Sequence, residues 1–337
     1  MELRLQGATV EQILRLERIR EYLAVDSDVD SREFPDAVAN AAAAKIDPLI
    51  TTEVSTGEEI IAIVADHFGV RFEEVRSHED ARQIKARYLE KQGELGFGVL
   101  DEQLQDPNVD ALLFQLTKAK KSHREKFVAV LNLQQTAAKA YWNRAHELSH
   151  RICEPPQRIL PFRRHRIEAK NPVETLVDYV AGRIAFYEPL LRKHLQPSDR
   201  LSFDTIQRVR ETYAPSASLL STMLAVAKLH PLPCVVLEAT ERGRKKQPSV
   251  DIALRAKVYY RSSDAADRGI SFINNWRVPP TSPLFSAFYN GGRSDGFEDL
   301  SEWKTSCGNR LPKVRVFSSA LGLRERAYLV CSLDEGN

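Results

Sequence analysis

The residues His146-Glu147-Leu148-Ser149-His150 spell H-E-x-x-H, and they constrain this chain more than any other stretch. From Asn143 to His150 there is no Gly or Pro. The run therefore predicts a helix with His146 and His150 one turn apart on one face. Two imidazoles at that spacing can grip one Zn²⁺ from the same side. The intervening Glu147 can take a proton from a water that the ion acidifies. Tyr141, Ala145, Leu148 and Ile152 follow helical spacing and form an apolar stripe roughly opposite the histidines. The expectation is a helix that packs one wall on a core and turns the other to a cleft. Pro155-Pro156 ends it near Cys153.

A catalytic zinc needs a third protein ligand and an open position. Asn171-Pro172-Val173-Glu174 reads as the start of a second helix, with Asn as N-cap, Pro in the first turn and Glu at the third helical position. Glu174 is the chosen third ligand, and Asp178 lies one turn on, placed to accept the other ring N–H of a ligating imidazole. Glu174 acting only as a helix cap is the alternative. Glu154, His165 and Glu188 are weaker candidates for the ligand. Cys153 lies seven residues after His146 and reads either as a thiol that modulates the metal or as a small buried apolar residue.

Composition sets the frame for this site. The chain has 337 residues, 43% hydrophobic and 28% charged, which suits two or three domains with real cores. The 48 basic and 46 acidic residues nearly cancel, so nucleic-acid contact would need a local patch. No apolar run approaches the roughly 18 residues of a membrane span, so no membrane partner is expected. The first residues show no secretory signal. Cys153, Cys234, Cys307 and Cys331 are scattered, with no C-x-x-C pair. The expectation is free thiols and a cytoplasmic setting.

In chain order, residues 1–50 read as a helical extension without chemistry, with helices over Val10–Tyr22 and Ala37–Ile46. Ile60–Phe68 is an amphipathic helix closed by Gly69. Val70–Val75 and Phe127–Asn132 are predicted strands, and Gly93–Leu100 a Gly-punctuated strand or turn. Leu201–Leu229 reads as two helices broken at Tyr213-Ala214-Pro215. They suit a helix-turn-helix or a simple brace, and Lys228 is the one strong cation of the second. Beyond Pro231 short β-prone runs appear: Cys234–Leu237, Ile252–Tyr260, Ser271–Ile273, Val314–Phe317 and Ala327–Cys331. Arg242, Arg244, Lys245 and Lys246 make a basic turn. Trp276, Phe285, Phe288, Tyr289 and Trp303 lie near Arg277 and Arg293. Cations among aromatics can hold single-stranded nucleic acid. The bland reading is solvated loops and core aromatics.

Phe127–Asn132, the Arg144–His150 helix and Glu174-Thr-Leu-Val-Asp178-Tyr-Val-Ala181 together resemble the ImmA/IrrE zinc metallopeptidases, over roughly residues 55–230. The longer IrrE-like and CapP-like members end in a GAF-like sensor domain. The resemblance implies an α+β fold: a helical extension (1–50), a gluzincin-like HExxH metallopeptidase domain (51–200), a helix-turn-helix-like segment (201–230) and a mixed α/β GAF-like domain (231–337). It implies His146, His150 and Glu174 as Zn²⁺ ligands and Glu147 as general base. The activity implied is endopeptidase cleavage of a helix-turn-helix repressor under a stress or phage signal, with single-stranded DNA the first candidate activator. A DNA-binding regulator that keeps the peptidase fold as scaffold, and a small-peptide exopeptidase, are the alternatives. Val177, Val180 and Gly182 depart from the family's small and aromatic pattern, which puts substrate choice in doubt. No oxyanion donor stands out; Tyr141 and His165 are candidates.

Overall fold

The computed structural model describes residues 8–106, 109–117, 126–134, 139–155, 162–165 (backbone only), 171–196, 200–243, 252–305 and 307–333. The chain divides into two compact units, Met1–Leu190 with Ser216–Ser218, and Leu191–Pro215 with Leu219–Asn337. Each mixes helices with one sheet, so the class is α+β.

The first unit opens with α1 (Val10–Tyr22), α2 (Phe34–Ile46) and α3 (Gly57–Phe68). Thr9 and Thr56 start α1 and α3 with reciprocal capping boxes to Gln12 and Glu59. Gly69 ends α3 at φ 67°, a left-handed turn that favours glycine. Then come β1 (Val70–Val75), α4 (His78–Lys85), α5 (Leu100–Gln105), β2 (Val109–Gln115), β3 (Phe127–Asn132), α6 (Ala140–Cys153), β4 (Phe162–His165) and α7 (Pro172–Ala185).

The sheet order is β1-β3-β2-β4. β1 and β3 run parallel from Val70 opposite Phe127, and the other pairs are antiparallel. Both central strands are buried on their two faces, which explains their continuous apolar sequence. Val128 and Val130 pack with Leu112, Phe114 and residues of α4 and α5. Ala111 and Leu131 face the other way, where α6 packs on β2 and β3.

Of the two readings of Gly93–Leu100, strand or turn, the turn is the one that forms. Leu95–Val99 forms a 3₁₀ turn running into α5. Phe97 sits there between the rings of Tyr88 and Phe114, with centroids 4.5 and 4.3 Å away. Burial of that one ring outweighs the local β pattern.

The second unit contains α9 (Phe203–Tyr213) and α10 (Leu219–Leu229), preceded by the short α8 (Glu188–Leu191) at the boundary. Its sheet comprises β5 (Cys234–Arg242), β6 (Ala253–Arg261), β7 (Gly292–Asp299), β8 (Arg315–Leu323) and β9 (Arg326–Leu333), with α11 (Pro283–Asn290) between β6 and β7. All neighbours are antiparallel in the order β6-β5-β9-β8-β7. Helix α11 packs against β7, β8 and β9. Gly322 of β8 lies so close to the Ala287 carbonyl of α11 that a Cβ there would collide with backbone. Ser271–Ile273 is irregular, with Phe272 inserted edge-on against Trp303 at 4.7 Å. The polar edge strand β7 carries almost no β signal in sequence. Trp276 and Trp303 are core residues.

Candidate metal centre

Helix α6 carries the H-E-x-x-H residues and ends where the Pro pair predicts. Tyr141, Ala145, Leu148 and Ile152 are buried as expected. The opposite face is not open to a cleft: His146, Glu147 and His150 are 0%, 1% and 1% exposed. Helix α7 packs along α6 and brings Glu174 and Asp178 to the histidines. The Tyr141 hydroxyl donates to the Ala185 carbonyl at the far end of α7, pinning the two helices together. That bond engages Tyr141 in the core and speaks against it as an oxyanion donor. The side chain of His165 lies outside the described residues.

At the start of α7, Asn171 caps through its side chain, accepting the Val173 N–H at 3.0 Å. Glu174 turns inward instead. Its Oε2 lies 3.2 Å from His146 Nε2 and 3.4 Å from His150 Nε2, and the two Nε2 atoms are 3.2 Å apart. The three donors therefore make a nearly equilateral triangle. A tetrahedral ion with bonds of about 2.05 Å has ligand–ligand edges of about 3.3 Å. The triangle has the size of one face of such a tetrahedron, and its two-imidazole, one-carboxylate chemistry suits zinc rather than the oxygen-seeking magnesium or calcium. Among the described residues these three form the group of His, Cys, Asp and Glu side chains able to hold a metal ion.

The other ring nitrogens are also fixed. His146 Nδ1 meets Asp178 Oδ1 at 2.8 Å, and His150 Nδ1 meets Glu154 Oε1 at 2.9 Å. Carboxylates there favour the Nδ1–H tautomer and turn both Nε2 lone pairs toward Glu174. Two such lone pairs face each other at a cost unless a cation or a proton sits between them. Without metal a proton fills that role. Burial opposes charge on His150, but the Glu174 and Glu154 carboxylates overcome it and raise its pKa to about 10. Burial also works against ionised Glu174, yet the charge on His150 and the close approach of both imidazoles hold its carboxyl well below the usual range.

Sequence reasoning weighed Glu154 only as a ligand. It is the acceptor of His150 instead, and its carboxylate is 3% exposed. Trp142 was not singled out either; its Nε1 donates to the same Asp178 oxygen at 3.3 Å. The i, i+4 spacing of His150 and Glu154 was the available signal for the first. Glu188 bonds Arg183 at 3.2 Å. Cys153 is fully buried, and burial, aided by the Glu154 charge, pushes its thiol pKa up. That suits the reading of Cys153 as a small buried apolar residue. Cys307 is exposed, and Cys234 and Cys331 are buried; all four are unpaired thiols.

In the second unit Arg242 is half-buried, and its Nη2 donates to the Ala256 carbonyl at 2.8 Å. It stitches β5 to β6. Arg244, Lys245 and Lys246 lie outside the described residues. Helix α10 buries Thr222, Met223, Ala225, Val226 and Ala227, and Lys228 is the one cation on the rest of it. No described helix is long and apolar enough to cross a membrane.

No protein-family model matches the chain, and no curated protein matches it. Among solved structures it is similar to a Mycobacterium tuberculosis transcriptional regulator, at 12% identity and a TM-score of 0.40, over 95% of this chain and 81% of that one. A likeness at that level carries no argument about fold or function.

Proposed function

We propose that this chain is a zinc endopeptidase of the gluzincin type, related to the ImmA/IrrE peptidases. The observation that carries the reading is the donor triangle of His146, His150 and Glu174, with edges of 3.2, 3.2 and 3.4 Å, whose two histidines sit on a helix that also carries the buried Glu147 next to His146 in sequence. Zinc held there would supply Lewis acidity toward the scissile carbonyl and the attacking water. His146, His150 and Glu174 bind it. Asp178 and Glu154 orient the two rings. Glu147 accepts the proton of the attacking water and passes it to the leaving amine. Glu147 is 1% exposed, so in this reading its carboxylate acts out of bulk solvent.

The substrate in this reading is a helix-turn-helix repressor, and the second unit gates cleavage. A single antiparallel sheet in the order 2-1-5-4-3, counted from its own first strand, supports the GAF-like reading of that unit. Single-stranded DNA is the candidate signal, and the cytoplasm the compartment.

Metal analysis of wild type, His146→Ala and Glu147→Gln tests the core of this. Expected are about one zinc per chain in wild type and Glu147→Gln, little in His146→Ala, and repressor fragments by mass spectrometry from wild type alone. Equal zinc in wild type and His146→Ala removes the site. Undiminished cleavage by Glu147→Gln removes the mechanism. Cleavage that ignores single-stranded DNA at low salt removes that activator.

A further inference from the structure

The N-terminal helical pair reads in sequence as an extension without chemistry, yet a charge relay runs from it into the metal centre. Arg15 of α1 grips Glu154 in a two-bond fork, Nη2 to Oε1 at 2.7 Å and Nε to Oε2 at 3.3 Å. The same Oε1 lies 2.9 Å from His150 Nδ1. Glu154 is the C-cap of α6, where the helix dipole disfavours a carboxylate, and it is 3% exposed. A buried acid in that position needs a fixed cation, and Arg15, itself 19% exposed, supplies one from 139 residues away. Helix α1 is a firm mount for it. Its N-terminus is closed by a capping box, and Leu16 and Ile19 are buried. Helix α2 braces the same two ligand helices. Lys45 lies 3.5 Å from the Ile152 carbonyl at the end of α6, and Asp36 bonds Tyr179 and Arg183 of α7.

We infer that Arg15 is a positioning residue of the metal centre: through Glu154 it fixes the His150 ring so that Nε2 points at the ion, and the N-terminal helices are thereby part of the site. This rests on the zinc reading above. Outer partners of metal-bound histidines typically govern affinity by about 10- to 100-fold. Unmoored from Arg15, the Glu154 carboxylate can turn away from the ring, and His150 gains freedom it must lose on binding.

The test is zinc affinity by competition with a chromophoric chelator, with circular dichroism as the check on folding. Arg15→Ala should bind zinc about 10-fold more weakly than wild type, and Arg15→Lys should fall between, since an ammonium cannot make the fork. Glu154→Gln should also weaken binding, and adding Arg15→Ala to it should cost nothing more, the mark of two residues acting through one contact. Arg20→Ala is the control for general damage to α1. That side chain serves the Asp26 and Ser27 carbonyls and covers Phe34 without touching the site. Wild-type affinity in Arg15→Ala, an equal loss in Arg20→Ala, or additive losses in the double variant overturns the inference while the zinc site stands. A wild-type protein that binds no zinc overturns the zinc reading and this inference with it.

Discussion

His150 holds the clearest acid–base consequence of the site. Its pKa rises to about 10 in the metal-free fold, because Glu174 and Glu154 outweigh burial. The ordinary value is near 6.5, so the folded state binds the proton more tightly than the unfolded one. The resulting stabilisation is complete below about pH 6.5 and disappears as pH rises through about 10. A metal ion must displace that proton. Zinc binding near pH 7 should therefore release protons into the buffer, and the apparent affinity should fall as pH is lowered. Calorimetry in buffers of different ionisation enthalpy reads this directly; an identical heat in all of them would refute it. At this scale the sequence was informative wherever one helix carried the message. The spacing 146, 150 and the spacing 174, 178 each place residues one turn apart, and the structure brings those four side chains together. Arg15 was invisible for the opposite reason. No local pattern links it to a carboxylate on another helix so far along the chain.

Helices α6 and α7 form the element pair on which the geometry depends, and their far ends are joined by the Tyr141 hydroxyl and the Ala185 carbonyl. Tyr141 is 1% exposed, so its hydroxyl acts as an internal fastener. Tyr141→Phe should lower stability by roughly 0.5–1.5 kcal/mol, the net worth of one hydrogen bond, and leave peptide cleavage at a folded temperature nearly unchanged. A large loss in kcat with stability intact would restore Tyr141 as an oxyanion donor. Urea unfolding beside a peptidase assay separates the two. The boundaries of α6 and of β1 and β3 were legible because breakers and apolar runs mark them. Strand β7 was not, and at Leu95–Val99 the glycines allowed a strand or a turn without deciding between them. Phe97 is placed by two rings distant in sequence, and β7 is an edge strand held by its pairing with β8 rather than by its own residues.

Taken as a whole, the molecule keeps another buried acid far along the chain from the first site, and it tests the C-terminal unit. Glu298 of β7 accepts the Trp303 indole N–H at 2.9 Å and the Ser318 hydroxyl at 2.5 Å. Burial raises its carboxyl pKa, against the pull of those bonds. The sign is opposite to that of the usual carboxylate. The unfolded chain ionises near pH 4.5, while the fold resists ionisation, so stability falls as pH rises from about 4.5 through the higher folded value. Glutamine at this position removes the charge. Its carbonyl can keep the Trp303 bond, and its amide can donate to the Ser318 hydroxyl, which accepts as readily as it donates. Glu298→Gln should therefore be more stable than wild type at pH 8, with the gap narrowing as pH approaches 4.5. Hydrogen exchange at β7, β8 and β9 localises the effect to this sheet. A variant whose stability tracks wild type in parallel across that range would show that Glu298 stays ionised at no cost, and that the bonds from Trp303 and Ser318 fully compensate its burial.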